Sequence, residues 1–328
     1  QGTSTIAVGD EMGPVTMIDT MSRDPRNERH FPCHHNAIFD LGWVPGQPQL
    51  LTASGDQSIR LFDVEGGAFG EVRCFRGHRA SVKTLSTLDT YTFASGGRDG
   101  NICVWDSRLD APRPCCIVAN AHEVPVPGKR KRSGGPPPPV QSVSCVEFID
   151  DATPKLATAG ATDGAIKIWD LRMLATSSGS TLRRAASTKA KPLAPTPIQV
   201  LHPPVEDGMR TRGITSLTVD PTGSRLLATT VNSVIYLYDT RWCASSSSKR
   251  LSTSGGGSSS NAAAAGSSSA SSSSAGAGGI PHGDEAGDAS VAQFRGHRVD
   301  SFYVKSTFSP DGKHILSGSS DMGVYLWE

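Results

Sequence analysis

The chain has no stretch near the ~18 consecutive apolar residues of a membrane span and no charged-then-apolar leader, so a soluble protein is expected. Its seven cysteines are odd in number and form no CxxC pair. Cys74, Cys103 and Cys145 fall inside strand-like runs, where a thiol packs as a small apolar group. This usage points to a reducing, intracellular compartment. Charge of one sign is also missing: 32 basic against 31 acidic residues leave a net charge of +1, which argues against a general nucleic-acid binder. There is no P-loop, no GxGxxG and no HExxH. No cofactor is expected. Cys33-His34-His35 invites a metal, but no second ligand pair stands at a zinc-like spacing, so none is assigned.

What the chain does have is a repeat. Gly77 to Arg108 begins with Gly-His, ends near Trp-Asp and holds three strand-like runs, Ala80 to Ser86, Tyr91 to Gly96 and Asn101 to Asp106, separated by turn residues. Equivalents of the closing pair stand at Ile18-Asp19, Phe62-Asp63, Trp105-Asp106, Trp169-Asp170, Tyr238-Asp239 and Trp327-Glu328. The first two intervals, of 44 and 43 residues, match the ~40 to 45 residues of a WD repeat. The fold predicted is therefore all-β: a single WD-repeat β-propeller over 1–328, with about six blades. Residues 123–140 (basic and Pro-rich), 173–196 (polar) and 244–279 (Ser/Gly/Ala-rich) are read as loop insertions. The last of these buries too little apolar surface to offset the entropy of ordering it. The first unit lacks an inner strand and the last stops after Trp327, so the chain is expected to be part of a longer propeller and not to close edge to edge.

His78, Ser95 and Asp99 are the residue types of a nucleophilic triad. The same set recurs with its Trp as His297, Ser317, Asp321 and Trp327, and neither serine lies in a Gly-x-Ser-x-Gly elbow. A catalytic centre is not duplicated from repeat to repeat, so two structural tetrads are predicted instead: His78, Ser95, Asp99 and Trp105, and the second set. The protein is expected not to be an enzyme.

Successive repeats carry an arginine two places after the closing Asp: Asp106 and Arg108, Asp170 and Arg172, and in weaker form Asp239 and Arg241. In an extended chain residues two apart project to one side, which places the guanidinium at the rim, where fixed bidentate donors suit a protein partner. The alternative is a local Asp-Arg pair steadying a turn. Lys129-Arg130-Lys131-Arg132 reads as a nuclear localisation signal or as a solvated basic linker. Arg79, Arg98 and Arg298 stand near the Gly-His ends of their repeats and read either as a substrate face favouring an acidic partner or the DNA beneath a clamp, or, as is more common, as scattered surface arginines.

GGRDGNICVWDSR (Gly96 to Arg108), AGATDGAIKIWDLR (Ala159 to Arg172) and SFYVKSTFSPDGKHILSGSSDMGVYLW (Ser301 to Trp327) resemble the denticleless-type WD-repeat family of cullin-RING ligase receptors. That resemblance implies a seven-blade propeller. It implies adaptor docking through Trp105, Asp106, Arg108, Trp169, Asp170 and Arg172, with Arg241 as a degenerate third copy, on the damaged-DNA-binding adaptor of a cullin-RING ubiquitin ligase. It further implies a nuclear substrate receptor for proteins bound to the replication sliding clamp. The rival expectation is a WD-repeat scaffold of chromatin or signalling without a ligase role.

Overall fold

Runs such as Ile102-Cys-Val-Trp-Asp106 and Ile166-Lys-Ile-Trp-Asp170 are rich in β-branched and aromatic residues and bounded by turn formers, which suits a buried pleated surface. The computed structural model describes residues 5–21, 28–65, 69–123, 140–150, 154–172, 195–204, 213–240, 290–301 and 303–328. Within them, strands assemble into six antiparallel sheets, each one propeller blade. Blade one holds β1 (Thr5–Gly9), β2 (Pro14–Asp19) and β3 (Arg29–Pro32). Blade two is β4 (Ile38–Trp43), β5 (Gln49–Ser54), β6 (Ser58–Asp63) and β7 (Gly70–Arg76). Blade three is β8 (Val82–Thr87), β9 (Thr92–Gly97), β10 (Ile102–Asp106) and β11 (Cys116–Val118). Blade four is β12 (Val143–Asp150), β13 (Lys155–Gly160), β14 (Ile166–Asp170) and β15 (Gln199–Leu201). Blade five is β16 (Ile214–Val219), β17 (Arg225–Thr230), β18 (Val234–Asp239) and β19 (Ser290–Arg295), and blade six is β20 (Ser306–Phe308), β21 (Ile315–Gly318) and β22 (Val324–Trp327).

The predicted architecture is the observed one, with two local differences. β15 has only three residues between Pro197 and His202-Pro203, too short for a pattern of alternation to register. The inner strand of blade six is equally short, Ser306–Phe308. The preceding segment spends its amides on turns: Val299 N–H donates to Ser233 Oγ at 2.9 Å and Asp300 N–H to Ser320 Oγ at 2.9 Å. Of the expected insertions, 124–139, 173–194 and the whole of 244–279 lie outside the described residues.

Blades are joined by apolar faces and by side chains stitched to the next inner strand. Asp40 accepts from the Leu85 amide at 2.8 Å, Thr84 Oγ1 from the Val146 amide at 3.2 Å, Ser144 donates to the Ile214 carbonyl at 2.6 Å, and Thr218 to the Ser306 carbonyl at 3.0 Å. Apolar clusters fill the seams from blade one through to blade six. Ile102, Ile166 and Ile168 are fully buried there, each contributing about 1.5 to 3 kcal/mol by leaving water. No such cluster among the described residues joins blade six to blade one. Apolar side chains of these two blades stay exposed instead: Val324 is 72 % and Leu326 63 % exposed in blade six, and Ile6 51 % in blade one. Phe308 and Ile315 of blade six are buried against Leu227 and Ile235 of blade five.

Candidate functional site: an arginine rim and the turns that hold it

Each well-formed blade is pinned by a buried polar chain that fixes the turn at one end of its strands. In blade three, the Trp105 indole donates to Ser95 Oγ at 2.8 Å and Ser95 lies 2.7 Å from His78 Nε2. Because the Asp99 carboxylate can only accept, Nδ1–H donates to it at 3.0 Å; in that tautomer Nε2 accepts from the serine hydroxyl, whose oxygen accepts from the indole. Burial pushes the Asp99 carboxyl up, but hydrogen bonds from His78 and the Arg79 amide outweigh it and hold the carboxyl below its ordinary value. Ser95 is fully buried, so its hydroxyl offers no approach to a substrate.

The chain recurs where the sequence reading did not place it. His122 meets Asp163 at 2.7 Å and Thr158 Oγ1 at 3.0 Å, and Trp169 donates to the same Thr158 oxygen at 2.8 Å. Thr158 was missed because it precedes its Trp by 11 positions, whereas Ser95 precedes Trp105 by 10. In blade two His34 takes Asp56 at 2.9 Å and Thr52 at 2.6 Å, with Phe62 in the Trp position. Both ring nitrogens of His34 are thereby engaged within the blade.

The second predicted tetrad is not formed. His297 is 3 % exposed, yet neither ring nitrogen has a hydrogen-bond partner. Asp321 accepts instead from the Tyr325 hydroxyl at 2.7 Å, Ser317 donates to the Gly318 carbonyl at 2.9 Å, and Trp327 donates to the Arg295 carbonyl at 3.3 Å. The cause is local: Tyr325 stands two places before Trp327, where blade three has Cys103, and its hydroxyl reaches the carboxylate that the histidine would need. With burial dominating, His297 is held below the ordinary histidine value.

The opposite ends of these blades carry the arginines. Arg108 clasps Asp106 through Nε at 3.0 Å and Nη2 at 2.7 Å, and Arg172 clasps Asp170 at 3.1 and 2.8 Å. In both, the Arg amide also donates to the Asp at 2.9 Å. The arginine bonds hold both carboxyls below the usual carboxylate range. Trp105 and Trp169 lie in the core, supporting these strands from within, while the arginine side chains remain 61 % and 65 % exposed. Two orientations of one chemical group are thus fixed on adjacent blades. The local Asp-Arg pair and the exposed anchor are the same arrangement: the pair uses one edge of each guanidinium. Arg241 and Lys129 to Arg132 lie outside the described residues.

Arg79 and Arg98 share the end of blade three at which Asp99 sits: the Arg79 amide donates to Asp99 at 2.8 Å and the Arg98 amide to the Ser81 carbonyl at 2.9 Å. Arg298 is exposed too, but its guanidinium pairs with Asp300 at 2.8 Å. At the same end the channel mouth carries side chains not singled out in the sequence. Lys83 Nζ lies 3.2 Å from the centroid of Phe39, which stacks at 6.4 Å with Tyr303. Phe39 and Lys83 are both second residues of inner strands, and that shared register is the signal that finds them. Deeper, in a channel of about 390 Å³, Lys305 pairs with Asp40 across the propeller at 2.9 Å. Although part of Glu147 opens onto this channel, burial by its walls pushes the carboxyl up to about 8. Among the described residues no cluster of histidine, cysteine or carboxylate is arranged to hold a metal ion.

A family model described as WD domain, G-beta repeat matches residues 26–63, 69–106 and 289–328. Denticleless protein homolog B of Xenopus laevis is 33 % identical over 342 residues, 98 % of this chain and 39 % of that protein. The Danio rerio Denticleless protein homolog is 34 % identical over 98 % of the chain and 42 % of its own length, and the Homo sapiens homolog 32 % over 98 % and 38 %. The chain therefore spans about two fifths of the curated relatives it matches.

Proposed function

The chain belongs to the denticleless family of WD-repeat proteins, and from that premise we propose that it is the substrate-recognition propeller of a cullin-RING ubiquitin ligase, docking on the damaged-DNA-binding adaptor. The observation that carries this reading is the pair of bidentate Asp-Arg clasps, Asp106 with Arg108 and Asp170 with Arg172, repeated at one end of adjacent blades with the arginines exposed. An anchor held in one rotamer loses little freedom on binding, and its free donors suit a carboxylate or carbonyl on the partner.

The other end of the propeller, with Arg79, Arg98 and Arg298, is the surface on which protein substrates bound to the sliding clamp are presented for ubiquitination. A nuclear location belongs to the same reading and is supported by Lys129 to Arg132.

The test is co-purification of the adaptor with Arg108→Ala, Arg172→Ala protein, beside circular dichroism. Loss of about 2 kcal/mol or more of docking energy with an unchanged spectrum is expected. Undiminished docking in the double variant removes the adaptor assignment and leaves a WD-repeat scaffold without a ligase role.

A further inference from the structure

Arg108 does not stand on a flat rim. It borders a groove of about 450 Å³ between blades two and three, walled by Gln47, Gln49, Val72, Arg73, Tyr91 and Arg108. Nothing in the repeat pattern marks this hollow, and three features shape it.

The first is a bulge. Along the edge of blade two, Leu61 faces Arg73 but Phe62 faces Glu71, so Val72 is the extra residue of β7. A bulge re-aims the side chain it carries, and here it leaves an apolar valine 54 % exposed in the groove wall. The second is Arg73, which crosses from blade two to blade three. Its Nη1 donates to the Ser107 carbonyl and its Nη2 to the Asp110 carbonyl at 3.0 Å, so it braces the very turn that presents Arg108. Both acceptors are neutral, and among the described residues no carboxylate pairs with it. The third is Tyr91, 47 % exposed, whose ring lies 4.9 Å from the Arg108 guanidinium carbon. Stacking on one face and the Asp106 clasp on the Nε–Nη2 edge leave the opposite face and the Nη1 end of the guanidinium open. No ring among the described residues stacks on Arg172 in this way.

The lining therefore holds two cations, two amides, an exposed aromatic and an exposed valine, and no carboxylate. Charge complementarity selects an acidic occupant, and Val72 with Tyr91 selects one that also carries an apolar side chain. Resting on the docking reading above, we infer that this groove receives an acidic, partly apolar segment of the adaptor. A carboxylate of that segment meets Arg108 and Arg73, and an apolar side chain lies on Val72 and Tyr91. Arg108 is then the principal anchor and Arg172 a secondary one.

The experiment measures adaptor affinity of the full-length protein carrying Val72→Glu, Val72→Lys, Tyr91→Ala or Tyr91→Phe, with the Arg108→Ala, Arg172→Ala double variant alongside. Val72 is solvent-facing at a bulge, so either charge is tolerated by the fold. Val72→Glu is expected to weaken binding about tenfold or more and Val72→Lys to leave it unchanged or tighten it. Tyr91→Ala should weaken it where Tyr91→Phe, which keeps the ring face, does not. Equal weakening by both Val72 charges overturns the acidic occupant. Unchanged affinity in all four, with binding abolished in the double arginine variant, overturns the groove while the docking reading stands. Binding that survives the double arginine change removes both.

Discussion

His122 Nδ1 and the Asp163 carboxylate lie 2.7 Å apart although 41 positions separate them, and the intervening chain includes the basic insertion. That bond closes the polar chain of blade four and holds the same end of the blade that His78 and Asp99 hold in blade three. Because both ring nitrogens of His122 are engaged and the ring is fully buried, its loss leaves Thr158 and Asp163 without a partner. Chemical denaturation should show His122→Ala and His78→Ala each destabilised by about 1 to 3 kcal/mol. His297→Ala removes a ring without hydrogen bonds, so its cost is confined to lost packing and should be clearly smaller. Equal losses at all three positions would contradict the broken chain in blade six.

Glu147 makes stability depend on pH in a direction that its type does not suggest. The unfolded carboxyl releases its proton near ~4.3, whereas the folded one keeps it up to about 8. Over that interval the folded state binds the extra proton, so this contribution is complete below the unfolded value and is lost as pH rises towards 8. His34 and His297 act oppositely: burial holds both below the ordinary histidine value, so they favour the fold as pH rises through that value. Melting temperatures of Glu147→Gln and the parent, measured from about pH 6.5 to 8, should diverge, with the parent falling more steeply. Parallel curves would remove Glu147 from the account.

The unpartnered faces of blades six and one predict association of this 328-residue chain. Val324, Leu326 and Ile6 are more than half exposed, and contiguous apolar surface of this kind favours contact between copies. Val324→Lys with Leu326→Glu should lower the sedimentation-average mass at a given concentration while leaving the circular dichroism unchanged. No change in mass would show that these faces do not drive association.

At the Gly-His end, Arg79 and Arg98 are exposed without a carboxylate partner among the described residues, whereas Arg298 is already matched by Asp300. If the proposed receptor role holds, reversing charge at Arg79 and Arg98 is therefore expected to reduce substrate ubiquitination more than reversal at Arg298. A reconstituted ubiquitination assay distinguishes them, and indifference to all three changes would leave this end as ordinary surface.

The sequence by itself determined the blade. Apart from the short β15, the strands of blades two to five follow from β-prone runs bounded by turn residues, because strand propensity and tight turns are local properties. The same locality made the rim arginines legible: Asp106 and Arg108 are two residues apart, and so are Asp170 and Arg172, so no distant part of the chain decides their pairing. Only the tertiary structure decided which polar chains close. Thr158 joins His122 despite a shifted offset, and Asp321 turns to Tyr325 and not to His297, because a hydroxyl two places before Trp327 competes for it. It also decided what surrounds Arg108. Arg73 and Tyr91 reach that turn from separate strands, and the bulge at Val72 exists only in the pairing of β6 with β7. Spacing along one strand specifies where a guanidinium emerges, but the groove beside it is made by neighbouring blades meeting, and no single repeat contains that geometry.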